Sequence, residues 1–154
     1  MSLSILLWAV PLLLSGAHGT VAQITVPARQ FKMLESIPAK IENPSSKPIT
    51  FCVEFGQTSP SPDENGIEST PSPFEVQAYS SGKWHTLLIG PDVGSSRRAL
   101  VLEAGESADF PFRLREKGQI RLILWYWVGA MSDLDCRHPP KGEKGLKSKV
   151  FGVE

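Results

Sequence analysis

Cys136, Arg137 and His138 stand side by side in a stretch rich in turn formers. A thiolate and an imidazole so close together suit copper or another transition metal. Further ligands are scarce: His85 is the only other histidine beyond the first nineteen residues, and Met131 precedes the cysteine where an axial methionine should follow the histidine. Cys52 offers the thiolate a competing fate. A Cys52–Cys136 disulfide would close a loop of about 84 residues and contribute a few kcal/mol in the chain-entropy picture. The alternative is two buried free thiols.

Leu124-Trp125-Tyr126-Trp127-Val128 is the second candidate. On a strand, Leu124, Tyr126 and Val128 share a face with Ile120 and Leu122, which makes that face the core side. Arg121, Ile123, Trp125 and Trp127 then point outward. Outward tryptophans suit a stacking platform for a sugar or an anchor for a protein partner. They equally suit burial beneath a loop or the N-terminal arm. Trp84 is expected in the core.

Charge supplies the third. Asp63, Glu64 and Glu68 lie in one long loop region, while Arg137, Lys141, Lys144, Lys147 and Lys149 cluster in another, with Asp133, Asp135 and Glu143 among them. Brought to one end of a scaffold, the two would attract each other and form a recognition surface that includes Arg137 and Lys141. Left apart, they are solvated loops. Hydrolase chemistry has little to build on, with neither a Gly-x-Ser-x-Gly elbow nor a His-Glu-x-x-His pair in the chain. Sixteen basic residues balance sixteen acidic ones, which argues against a nucleic-acid partner.

The elements that must position these residues are short and extended. Thirteen glycines and thirteen prolines in 154 residues turn the chain often, and 41% hydrophobic residues are ample for one core. Ile49, Phe51, Val53 and Phe55 alternate with Thr50, Cys52 and Glu54, the period of a half-buried strand. A strand is expected over Ile37 to Glu42. Phe74 to Tyr79 and Trp84 to Ile89 read as a hairpin turned at Ser80-Ser81-Gly82-Lys83. Leu100 to Leu102, Phe110 to Leu114, Ile120 to Val128 and a last run near Leu146 to Val153 follow. Pro111 makes its strand an edge or a bulge. Residues 57–73, 90–96 and 129–145 are the long loops. The whole predicts an all-β, immunoglobulin-like antiparallel β-sandwich of seven to eight strands over residues 33–154, with 20–32 an N-terminal arm or extra strand.

The order of elements resembles the immunoglobulin-like domains of exported bacterial proteins. The likeness is carried by Ile41-Glu42-Asn43 through Ser46, Pro48-Ile49, Gly82-Lys83-Trp84, Leu102, Gly105-Glu106-Ser107 and Gly118-Gln119-Ile120-Arg121. It implies an adhesive, spacer or binding module without shared catalytic residues and without a cofactor. Cys52 on a polar strand face and Cys136 in a loop depart from the inter-sheet core disulfide of antibody domains. Residues 1–19 lack charged side chains, carry an apolar run from Ile5 to Leu14 and end in Ala17-His18-Gly19, the pattern of a cleaved signal peptide. No cysteine follows that run to take a lipid, so a lipid-anchored lipoprotein is not expected, nor is stable membrane insertion after signal cleavage. The reading is a secreted or periplasmic, non-catalytic module with an unidentified protein or glycan partner. Its alternatives are a cupredoxin-like copper protein built on Cys136, His138 and His85, and an extracytoplasmic protease inhibitor presenting a long loop.

Overall fold

The structure is a computed structural model, and it describes residues 22–55, 72–87 and 96–154. The predicted signal segment and most of the loops at 57–73 and 90–96 lie outside the described residues. So does the acidic trio Asp63, Glu64 and Glu68, and with it the expected attraction between two charged loops.

Eleven short strands are described: β1 (Gln23–Thr25), β2 (Gln30–Phe31), β3 (Lys40–Glu42), β4 (Ile49–Phe55), β5 (Phe74–Ser80), β6 (Lys83–Thr86), β7 (Ser96–Leu102), β8 (Ser107–Asp109), β9 (Gly118–Val128), β10 (Lys144–Lys147) and β11 (Phe151–Val153). They form a three-stranded sheet, β1-β3-β8, and an eight-stranded sheet centred on β9. Between the two sheets lie Ile37, Ile41, Ile49, Phe51, Ile120, Leu122 and Leu124, all fully buried. Phe110 meets Phe51 and Phe74 edge to face, with centroids 5.9 and 6.1 Å apart. The described chain is all-β, and its strand order is that of an immunoglobulin-like sandwich, with the small sheet standing for strands A, B and E and β11-β9-β4 for G, F and C.

The strand count exceeds the seven or eight expected, for two local reasons. The N-terminal arm divides between the sheets: β1 pairs antiparallel with β3, whereas β2 pairs parallel with β11. That parallel pair corrects the expectation of a wholly antiparallel sandwich. Ala22, Ile24 and Phe31 are buried, so the arm is part of the core.

The last run is broken by a bulge. Lys147 opposes Ile123 and Phe151 opposes Ile120, so four residues advance on one chain against three on β9. An unbroken strand with Leu146 inward would have turned Phe151 and Val153 to solvent. The extra residue reverses the parity, burying Phe151 and Val153 and leaving Val150 exposed. Ser148 fills the gap, its hydroxyl accepting the Leu122 N–H at 2.9 Å.

One edge of β9 is also shared. β10 and β11 occupy the edge from Gly118 to Tyr126, so β4 (opposite Tyr126 to Val128) and β5 (opposite Gln119 to Leu124) both lie along the other. β4 pairs with β7 along its whole length, but beyond Phe51 it leaves β9, and β5 takes over its place there. Among the described residues, a bridge between Glu54 and Ser72 links the two arms of the fork.

Phe110, Phe112 and Leu114 are buried as their alternation requires, but the strand stops at Asp109. Pro111 has no N–H to give, and past it the pairing continues as separate backbone hydrogen bonds, including the Ile37–Phe112 bridge, rather than as a strand. The hairpin forms between β5 and β6 with Ser80 opposite Lys83. Ser81 and Gly82 take φ of 51° and 81°, the two left-handed positions of a type I′ turn.

Candidate functional site

Trp125 and Trp127 both point away from the core, as the alternation along β9 requires, yet their fates differ. Trp127 is only 6% exposed and Trp125 is 44% exposed. The cause is the loop between β9 and β10, which folds back over the outer face of the large sheet. Thr50, opposite Trp127 on β4, starts it: its hydroxyl donates to the Gly129 carbonyl at 2.7 Å and accepts the Met131 N–H at 3.0 Å. Cys52, two residues on and facing the same way, bonds to Cys136. The Trp127 indole N–H then donates to the Pro140 carbonyl at 3.1 Å. Three attachments thus hold residues 129–140 down, and Trp127 lies beneath them.

The disulfide therefore joins a strand to a loop across one sheet face, away from the core between the sheets. Its formation removes the copper alternative's thiolate. His138 does not reinforce a metal site either: its Nδ1 lies 3.2 Å from Asp135 Oδ2 in solvent, while His85 Nε2 reaches the Ser80 carbonyl at 3.3 Å. Among the described residues no three His, Cys, Asp or Glu side chains are grouped to hold a metal ion. The Asp135 carboxyl is held below its ordinary range chiefly by the Arg137 backbone N–H and then by His138, an Asx-type turn stabilising the loop.

Trp125 is pinned from both sides. Its indole N–H donates to Glu75 Oε2 on β5 at 2.9 Å. Its six-membered ring reaches the other way, over Gly145 on β10, its register partner. A Cβ at Gly145 would stand 2.8, 3.2 and 3.3 Å from Cζ3, Cη2 and Cε3 of that ring. Near-equal distances to three successive atoms belong to a ring lying face-down on the glycine. An edge-on ring would spread them. Trp125 therefore spans three strands with one face against the sheet and the other towards solvent.

Glu75 also accepts the Thr86 hydroxyl at 2.7 Å and the Gln77 amide at 2.8 Å through Oε1. The Trp125 hydrogen bond is the main cause of a carboxyl pKa below the ordinary glutamate value; burial opposes it, and Thr86, Gln77 and the nearby Arg121 charge add to it.

Where β4 and β5 fork, a cleft of about 500 Å³ opens beside Trp125. The Cys52–Cys136 bridge, Trp127, Phe74 and Pro139 supply its apolar lining, with Glu54, Glu75, Glu143, Thr86 and Arg97 among its polar groups. Arg97 pairs with Glu54 at 3.4 Å.

Arg121 joins this network through Gln77 on the same face: its guanidinium lies 4.1 Å from the Trp84 ring centroid and donates to Gln77 Oε1 at 2.7 and 2.9 Å. Trp84 packs against Tyr79, with centroids 5.2 Å apart, so it is an outer-face residue and not the core residue expected. Arg137 and Lys141 are exposed, each next to an anchored residue of the loop, Cys136 and Pro140 respectively, and neither lines the cleft. Val128, expected inward, is 46% exposed at the end of β9. Glu75, Thr50 and Gly145 escaped the sequence reading. A lone glycine beside the predicted Leu146 strand was the available signal, since such a residue marks a close approach.

No family model matches this chain, and no curated protein matches it. Among solved structures it is similar to the ASH / PapD-like domain of human CEP192 (PapD-like domain 7), at 11% identity and a TM-score of 0.38, covering 100% of this chain and 95% of that one. A likeness of that strength decides nothing about what either chain binds. The fold class defined by this chain's own strand pairing is an immunoglobulin-like β-sandwich carrying an intra-domain disulfide.

Proposed function

We propose that this chain is an exported, non-catalytic binding module of the bacterial immunoglobulin-like type, and that it meets a protein or glycan outside the cytoplasm on the outer face of its large sheet. The observation that carries this reading is a loop fixed across that face by a disulfide, beside an indole held flat with one side in solvent. Recognition is served by side chains whose conformations are set before the partner arrives. A disulfide suits an oxidising compartment, and no described helix is long and apolar enough to cross a membrane. Cys136, two residues before His138, is engaged in the bridge and so has no free thiolate to act as a nucleophile beside that histidine.

Fractionation of a bacterial host expressing the full chain tests the compartment. The expected product is extracytoplasmic, begins at Thr20, and takes up a thiol-alkylating reagent only after reduction. Full-length protein in the cytoplasm with two alkylated cysteines would overturn the reading.

A further inference from the structure

We propose that the cleft beside Trp125 is a carbohydrate subsite, with the free face of the indole stacking on a neutral or amino-sugar pyranose ring. This inference rests on the reading of that face as a binding surface. One side of a pyranose presents C–H groups of partial positive charge, which pack on the negative face of an aromatic ring, while its hydroxyls need hydrogen-bonding groups around the edge. Trp125 offers such a face on a rigid base, fixed by Glu75 on β5 and lying on the Gly145 backbone of β10. Polar groups flank it in the adjoining cleft: the carboxylates of Glu54 and Glu143, the Thr86 hydroxyl and the Arg97 guanidinium.

The cleft combines an apolar lining, the disulfide with Trp127, Phe74 and Pro139, with the hydrogen-bonding side chains that a ring of hydroxyls requires. The cleft's volume of about 500 Å³ is of the order of a small-ligand site. The described lining carries Glu54, Glu75 and Glu143 against Arg97, which disfavours uronates and sialic acids and favours uncharged or amino sugars.

The test is titration of the oxidised protein with chito-, cello-, xylo- and manno-oligosaccharides, and with polygalacturonate as the acidic control, read by calorimetry and tryptophan fluorescence. Binding to one of the uncharged or amino-sugar series is expected, with polygalacturonate silent. Trp125→Ala should weaken it by about tenfold or more, and Trp125→Phe by less. Gly145→Val should weaken it with Trp125 still present, because the new side chain lifts the indole. Circular dichroism checks that each variant is folded, and the Phe and Val variants carry the test if the alanine variant is not. Binding by none of the series, or binding indifferent to Trp125 and Gly145, overturns the subsite. If no sugar binds but an extracytoplasmic protein is captured and lost with Trp125→Ala, the sugar assignment falls and the binding-module reading stands. If neither binds, both fall.

Discussion

Thr50 and Trp127 face each other across β4 and β9, and between them they hold both ends of one loop. The threonine hydroxyl takes the loop where it leaves β9, and the indole N–H takes it eleven residues later at Pro140. With Cys52–Cys136 between these points, a surface segment becomes a cover for one tryptophan and a wall for the cleft beside the other.

The two tryptophans should therefore separate in stability measurements. Trp127→Ala removes a buried indole and its hydrogen bond and should cost about 3 kcal/mol. Trp125→Ala should cost about 1 kcal/mol, since half of its surface is already in solvent. Urea unfolding of the two single variants checks the difference; equal losses would mean that the loop does not discriminate between them.

Removing the disulfide should be felt globally. Its residues are 84 apart in sequence. The chain-entropy model gives about 4.5 kcal/mol for a loop of that length, acting through the unfolded chain. The urea midpoint of a Cys52→Ser, Cys136→Ser double variant, compared with the oxidised protein, measures it. Proteolysis within 129–143 should also quicken, because only hydrogen bonds, chiefly those of Thr50 and Trp127, would then hold the loop.

Asn43 is fully buried and joins two turns. Its amide nitrogen reaches the carbonyls of Lys47, Leu102 and Glu103 at 2.9 to 3.0 Å, and its oxygen accepts from the Ser45 hydroxyl at 2.6 Å. Asn43→Ala would strand buried carbonyls and should cost about 2–3 kcal/mol. Asn43→Asp should be no better, because an ionised carboxylate cannot donate. Thermal melts of both variants distinguish this from a generic turn effect.

The Glu75–Trp125 contact gives a pH dependence of known sign. The folded-state pKa lies below the unfolded one, so the contact's contribution is fully present above the ordinary glutamate value of about 4.3. It is lost as the pH falls through the lower folded value. The indole N–H resonance of Trp125 should shift on acidification in the wild type and stay fixed in Glu75→Gln. The stability change should be small, because the carboxylate is only half-buried and solvent screens it in part.

Ser81 occupies a left-handed backbone position, φ 51°, in the β5–β6 turn. Ser81→Gly or Ser81→Asn should raise stability by a few tenths of a kcal/mol, since both residues accept that conformation more readily. Ser81→Val should lower it.

The alternation from Ile49 to Val53 and from Ile120 to Tyr126 determined the core strands by itself, because in a strand parity alone assigns each residue to a face. Turn chemistry did the same for the hairpin at Ser81-Gly82. The sequence also placed Cys52 on the outer face of its strand and both tryptophans on the outer face of theirs. Tertiary structure alone decided what that face becomes. Nothing local to residues 129–143 says that they fold back over it, since Thr50, Cys52 and Trp127 reach them from elsewhere in the chain. Parity likewise fails at residues 148–150, where one extra residue exchanges the faces of everything after it. Periodicity tells a side chain which way to point; only packing between distant segments decides whether water or protein is waiting there.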